Sequence, residues 1–192
     1  YKFLKYGFEP IIRYKGAIAA STVMDVLRKV KKGASVCIFA EGVRTWNGVT
    51  SPILPSTAQL IKAARCGLVT YKIEGGYFAS PAWSEKGTRR GHVKGAPVAI
   101  YTKEQLAAMS DEEIYEIIKR YLHEDAYARQ LESPKRYKGK QPAYRLENLL
   151  FLCPECRANG SISTCKDRVT CSACGHSFIY NPYGMLEGTR FT

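Results

Sequence analysis

The chain is poor in acid, poor in histidine and without long apolar runs. It holds 17 Asp+Glu against 29 Lys+Arg, a net charge of +12 over 192 residues. That imbalance argues against cationic partners and favours anionic ones: phospholipid surfaces, phosphorylated small molecules or nucleic acid. No apolar stretch approaches the ~18 residues of a membrane-spanning helix. The opening YKFLKYGFEPIIRYKG lacks the apolar core and small-residue cleavage site of a secretory signal. No Met stands first, and Tyr1 reads as the cut end of something longer. The seven cysteines are an odd number and come without a signal, which argues against a secreted disulfide framework and for a reducing cytoplasm. At 45% hydrophobic and 24% charged, the composition is that of a globular chain, not a disordered one.

What is present alternates between strand-like and helix-like segments over the first 125 residues. FEPIIR (8–13) and SVCIFA (35–40) read as strands, the second as a buried one. Between them Ser21 and Thr22 open a helix with Val23, Val26, Leu27 and Val30 on one face, and Gly33 follows as its stop. The turn-rich EGVRTWNGVTSPILP comes next. Ser56 is expected to cap a helix through Ala64 that ends near Gly67. LVTYKI (68–73) and PVAIY (97–101) are further strands, separated by a loop-like stretch with room for a hairpin. Ser110 and Glu113 form a capping box for a helix with Ile114, Ile117, Ile118, Tyr121 and Leu122 on its apolar face. Alternation with connections of this length implies a mostly parallel sheet flanked by helices, an α/β fold. Residues 129–145 hold six basic residues, one acid, two prolines and a glycine, the composition of a linker or exposed strap.

The C-terminal segment has a different chemistry. Cys153, Cys156, Cys171 and Cys174 form CxxC–x14–CxxC. Each pair turns two thiolates toward one ion, and two pairs complete the closed tetrahedron of structural zinc. A zinc ribbon over 147–192 follows, with Cys165 outside the ligand set and His176 solvated. Residues 1–146 carry 25 basic and 13 acidic side chains, whereas 147–192 carry four of each. Four thiolates and one Zn²⁺ would leave the ribbon about −2, a poor phosphate binder. Nucleic acid is therefore not an expected partner, and a structural or protein-contact role is.

In an open α/β sheet, ligands bind beyond the carboxyl ends of the strands. Arg13 ends the first strand, and Glu41 and Arg44 follow the second. Two arginines converging there can clamp a phosphate; the bland alternative is a surface ion pair of about 0–1 kcal/mol. FAEGVRTWNG (39–48) resembles the F-P-E-G-T-R-S block of the 1-acylglycerol-3-phosphate (lysophospholipid) acyltransferase family. GFEPIIRYKG (7–16) is similar to the arginine block that precedes it, and KKGASVCIFAEG matches that family's K-x-G-x-S-V-x-I-F-P-E-G run. The resemblance covers roughly residues 7–125. It implies transfer of a fatty acyl group from acyl-CoA or acyl carrier protein to lysophosphatidate, with Arg13, Glu41, Gly42 and Arg44 binding the glycerol phosphate. Ala40, Val43 and Thr45 depart from the block, as do Leu68, Thr70 and Tyr71 from the later proline-bearing block.

The family's chemistry uses His-x4-Asp, in which the histidine takes the acceptor's hydroxyl proton and the aspartate orients the imidazole. Five residues after His92, His123 and His176 stand Pro97, Ala128 and Asn181, so no such pair exists in these 192 residues. The expectation is an acyltransferase-like domain over 1–128, truncated at its N-terminus, a basic linker over 129–146 and a zinc ribbon over 147–192. Such a chain binds acceptor but holds no catalytic residue. It is expected in a bacterial cytoplasm, peripheral at the inner face of the cell membrane, with the basic strap on anionic lipid. Trp46 and Trp83 are candidates for membrane anchoring or for core packing, and Arg89, Arg90 and His92 for a basic loop that is either solvated or touches phosphates. The rival expectations are an acyltransferase for another lysophospholipid and a non-catalytic zinc-ribbon adaptor.

Overall fold

The pattern at 20–31 makes a helix because its apolar residues recur on one face and its last turn is basic. This α1 (Ala20–Lys31) buries Val26 and ends in Arg28, Lys29 and Lys31, favourable charges for a helix C-terminus. Gly33 stops it with φ +86° and donates its N–H to Val30 O at 2.9 Å. A computed structural model describes residues 10, 11, 20–84 and 88–188. They are mixed α/β and fall into two compact units.

The first unit takes its described residues from 10–11, 20–40, 53–70 and 99–121. In it α1 packs on α2 (Ser56–Ala64). Ser56 does not cap α2: Pro55 holds that position with no side-chain bond, and Arg65 ends the helix in the left-handed region at φ 50°. Helix α4 (Lys103–Ala108) has a complete capping box between Thr102 and Gln105 that the strand-and-helix reading passed over. Helix α5 (Asp111–Leu122) opens on the expected box: Ser110 N–H donates to Glu113 Oε2 at 2.7 Å, and Glu113 N–H to Ser110 Oγ at 3.1 Å. Three acids in its first turn and Lys119 and Arg120 in its last suit the helix dipole. Ile114 and Ile118 are fully buried, as are Ala58 and Leu106.

Strands β1 (Leu68–Glu74) and β2 (Lys94–Tyr101) pair with each other. Gly67 lies against Tyr101 O and Gly75 against His92 O, so the two run in opposite directions. Among the described residues no parallel pairing is found. Residues 35–40, expected as a buried strand, carry none: they are coil, with Phe39 78% exposed. A strand is stable only beside a partner; nothing described pairs with this one, and of 8–13 only residues 10 and 11 are described.

The second unit holds 41–52, 71–98 and 122–188 among the described residues. The stretch read as a loop or hairpin contains a single helical turn, α3 (Gly76–Ala79). Helix α6 (Ala126–Glu132) is capped by Asp125, whose Oδ1 accepts from Tyr127 and Ala128 N–H at 3.0 Å. The C-terminal sheet is antiparallel in the order β3 (Ile162–Cys165), β4 (Arg168–Cys171), β5 (Ser177–Tyr180), β6 (Leu186–Glu187). Ile162 faces Cys171 and Val169 faces Phe178 in register.

The ribbon does not form its core alone. Val169, Phe178 and Tyr180 are buried together with Trp83, Ala143 and Leu146. Residues 129–146, with the composition of a linker, are folded into this unit: Tyr137 and Ala143 are buried, and Tyr137 N–H donates to Pro182 O at 2.7 Å. A methyl group at Gly184 would lie 2.3 Å from the Phe78 ring, so α3 packs directly on the ribbon's backbone. Arg89 sits inside, 3% exposed, with its guanidinium carbon 5.0 Å from the ring centres of both Trp83 and Tyr180.

Candidate functional site

The four expected cysteines converge. All their sulfurs lie within 4.8 Å of one another. Cys153 Sγ is 3.9 Å from Cys174 Sγ, and Cys156 Sγ is 3.7 Å from Cys171 Sγ. A tetrahedron with Zn–S of ~2.3 Å has sulfur–sulfur edges of ~3.8 Å, so these two contacts match its edges and the cluster is compatible with zinc. The two turns are built alike. Arg157 N–H donates to Cys153 O and Gly175 N–H to Cys171 O, both at 2.9 Å. Arg157 and Gly175 each adopt positive φ, 58° and 72°, one residue beyond the second cysteine of the pair. Glycine takes that conformation at no steric cost and arginine does not.

Cys153 and Cys171 are buried, while Cys156 and Cys174 face outward. A hydrogen bond with the Ser161 hydroxyl, followed by backbone N–H bonds, pulls the Cys171 thiol down to about 6. At Cys174 a backbone bond from His176 pulls downward, but burial and the neighbouring thiols prevail and push it up to about 12. Cys165 is exposed outside the cluster, and His176 Nε2 lies 2.8 Å from Gly188 O. These cysteines make a metal site compatible with structural zinc.

The other expected site lies in 41–52, within the second unit. Arg13 lies outside the described residues. Glu41 and Arg44 are on one short loop but have separate partners. Glu41 Oε2 accepts from Ser51 N–H at 2.6 Å, which folds the loop back on itself. Arg44 Nη1 is 3.3 Å from both Ser80 O and Ser80 Oγ, and the side chain is solvent-exposed. Gly42 has φ +68° with open space where a side chain would stand. Its requirement is therefore conformational; nothing in the protein approaches closely there.

Three contacts brace this loop from behind. Thr50 N–H donates to Glu124 O, Ala126 N–H donates to Gly48 O, and Tyr77 OH donates to Trp46 O. The Thr50 hydroxyl also accepts from Glu124 N–H at 2.7 Å. Glu124 is itself fixed. Burial alone would raise its pKa, but a two-point bond from Arg129 and a 2.9 Å ion pair with Lys72 hold the carboxyl below its usual range. The sequence reading missed Tyr77, Glu124 and Arg129. Only Asp125, a helix-capping residue before Ala126, carried a local signal of where this brace begins.

Of the smaller expectations, Trp83 is 1% exposed and packs in the core, while Trp46 is half exposed. Arg89 is buried, so of the two neighbouring arginines only Arg90 presents its charge to solvent. Among the described residues, no helix is long and apolar enough to cross a membrane. No protein family, curated protein or solved structure matches the chain. The class defined by fold and site is a mixed α/β chain with a four-cysteine cluster that could hold a metal ion.

Proposed function

We propose that this chain is the acceptor-binding part of a lysophospholipid acyltransferase, serving transfer of a fatty acyl group from acyl-CoA or acyl carrier protein to lysophosphatidate. The observation that carries the reading is the state of the E-G-x-R loop. Its Arg44 guanidinium is exposed, while the loop around it is pinned by Glu41–Ser51, Thr50–Glu124 and Tyr77–Trp46. A cation on a pre-set loop is suited to a phosphate monoester, because little order is lost on binding. Arg13, Glu41, Gly42 and Arg44 are the proposed glycerol-phosphate contacts. With no His-x4-Asp in the sequence, the chain as given binds without transferring.

Zinc is the proposed occupant of the cysteine cluster, held by Cys153, Cys156, Cys171 and Cys174. It would supply cross-linking of the two turns and no reaction chemistry. A glycerolipid-acyltransferase-like sheet, a cytoplasmic location and peripheral association with the inner face of the membrane belong to the same proposal. An acyltransferase for another lysophospholipid uses the same loop, and headgroup profiling separates the two. Short-chain lysophosphatidate, lysophosphatidylethanolamine and lysophosphatidylcholine are titrated into the protein below their micellar concentrations. Preference for the phosphate monoester supports lysophosphatidate. Preference for a capped headgroup selects the relative, and no binding of any of the three rejects both.

A further inference from the structure

Two basic stretches that are far apart in sequence, 88–94 and 134–140, lie side by side in the second unit. Arg90 and Lys138 form an antiparallel bridge, each N–H donating to the other's carbonyl at 2.8 Å. About this bridge the side chains alternate, as extended backbone requires. The inward positions are Arg89, Gly91, Tyr137 and Gly139. A methyl group at Gly91 would lie 2.1 Å from the Tyr137 ring, and one at Gly139 would lie 3.1 Å from the Arg89 side chain. The two glycines let one large side chain from each strand fill the space beneath. The outward positions are His92 and four cations, Arg90 on the same strand and Arg136, Lys138 and Lys140 on the other, all exposed. Among the described residues none of these four has an acidic partner.

We infer that this two-stranded ridge is an interaction surface for an anionic lipid bilayer. Four unpaired cations on one side of a short ridge concentrate positive potential where it meets a negatively charged plane. The choice between polyanions follows from what the ridge lacks. Tyr137 points inward and is buried, which leaves His92 as the one exposed ring of the pair, a narrow platform for stacked bases. The outward set has no Asn or Gln to read base edges. The choice also rests on the phospholipid reading of the 41–52 loop; the ridge itself does not.

The test uses the full chain with vesicles of phosphatidylcholine containing 30% phosphatidylglycerol (on the order of the anionic content needed for a strong surface potential), and with pure phosphatidylcholine vesicles. Each cation near such a surface contributes about five-fold to partitioning. The double substitution Arg90→Glu with Lys138→Glu is expected to weaken binding to anionic vesicles by about 25-fold or more, on the same per-residue scale. The bridge is made by backbone atoms, so its folding is retained. Arg136→Glu with Lys140→Glu reaches the same end without touching the bridged pair. Lys31→Glu with Lys32→Glu, which changes net charge equally in the first unit, is expected to leave binding within about two-fold, the loss of long-range attraction alone.

Equal losses in all three variants, or no preference for anionic vesicles, overturn the inference. So does tighter binding to a duplex or single-stranded oligonucleotide that the ridge variants abolish. Short-chain lysophosphatidate titrated into the Arg90→Glu, Lys138→Glu protein separates the two claims. Retained acceptor binding without vesicle binding to the native ridge sinks the surface alone. Vesicle binding without acceptor binding sinks the loop reading alone.

Discussion

Trp83 donates its indole N–H to the Tyr77 hydroxyl at 3.3 Å, and Tyr77 passes the contact on by donating to Trp46 O at 3.0 Å. Trp83 belongs to the same buried core as Cys153 and Cys171, and Trp46 belongs to the loop that carries Glu41 and Arg44. Two motifs far apart in the sequence are thus joined through one phenol. Removing the metal with a chelator is expected to loosen this core, shift Trp83 fluorescence to the red and speed amide exchange in 41–52. Tyr77→Phe keeps the ring and removes both bonds. It is expected to cost about 1–2 kcal/mol in denaturant unfolding and to leave the exchange of 41–52 fast whether or not metal is bound.

Arg89 is a buried cation with no carboxylate partner among the described residues. Its Nη1 donates to Phe78 O and the Tyr180 hydroxyl, its Nη2 donates to Pro142 O, and the edge-to-face pair of Trp83 and Tyr180 rings flanks it. Arg89→Ala leaves two carbonyls without donors and a cavity beside the rings, an expected loss of about 2–4 kcal/mol. Arg89→Lys is expected to recover less than half of it, because an ammonium has no planar face to lay against the rings and does not reach three acceptors in a plane. Urea midpoints of the three proteins decide this; full recovery by lysine would show that only the charge matters.

Glu124 sets an acid limb on stability. Its folded pKa is held below the unfolded value of about 4.3 by Arg129 and Lys72. The sign follows from linkage: the contribution is present above the unfolded value and is lost as pH falls through the folded one. Native Tm is expected to drop between about pH 5 and 3. Glu124→Gln is expected to lower Tm at pH 7 and to flatten that drop. An unchanged slope in the variant would place the acid sensitivity elsewhere.

Gly48 has φ +86°, and a methyl group there would stand 3.1 Å from the Tyr77 ring and 3.2 Å from Ala126 Cβ. Gly48→Ala therefore meets both conformational strain and crowding, with an expected cost of about 1–2 kcal/mol. Gly33, at the same φ but with nothing near, is the control: Gly33→Ala carries the strain alone and is expected to cost about 1 kcal/mol. Thermal unfolding of the pair measures the difference.

The parts of the fold that local rules govern were legible. Ser110 and Glu113 form the capping box their spacing implies, Gly33 ends α1, and the two CxxC pairs converge within reach of one metal ion. What local rules do not govern was not legible. Residues 35–40 have the composition of a buried strand, yet a strand depends on a partner that no periodicity identifies. Residues 129–146 have a linker's composition, yet Tyr137, Ala143 and Leu146 are core residues. Isolated apolar residues among charges carry no period, and only the tertiary fold shows that Gly91 makes room for the Tyr137 ring. In the loop, Glu41 and Arg44 were expected at the end of a strand that does not form; the residues that brace this loop, Tyr77 and Glu124, lie 33 or more residues away along the chain.

The central claim is that Arg44 on its braced loop receives a phosphate monoester. Titration of short-chain lysophosphatidate into the native chain and into Arg44→Ala, followed by calorimetry at fixed salt, tests it most directly. A saturable native isotherm is expected, with affinity reduced about ten-fold or more by the substitution, the worth of a charged hydrogen bond to phosphate. An Arg44→Ala isotherm that overlays the native one, or no binding to either protein, would contradict it.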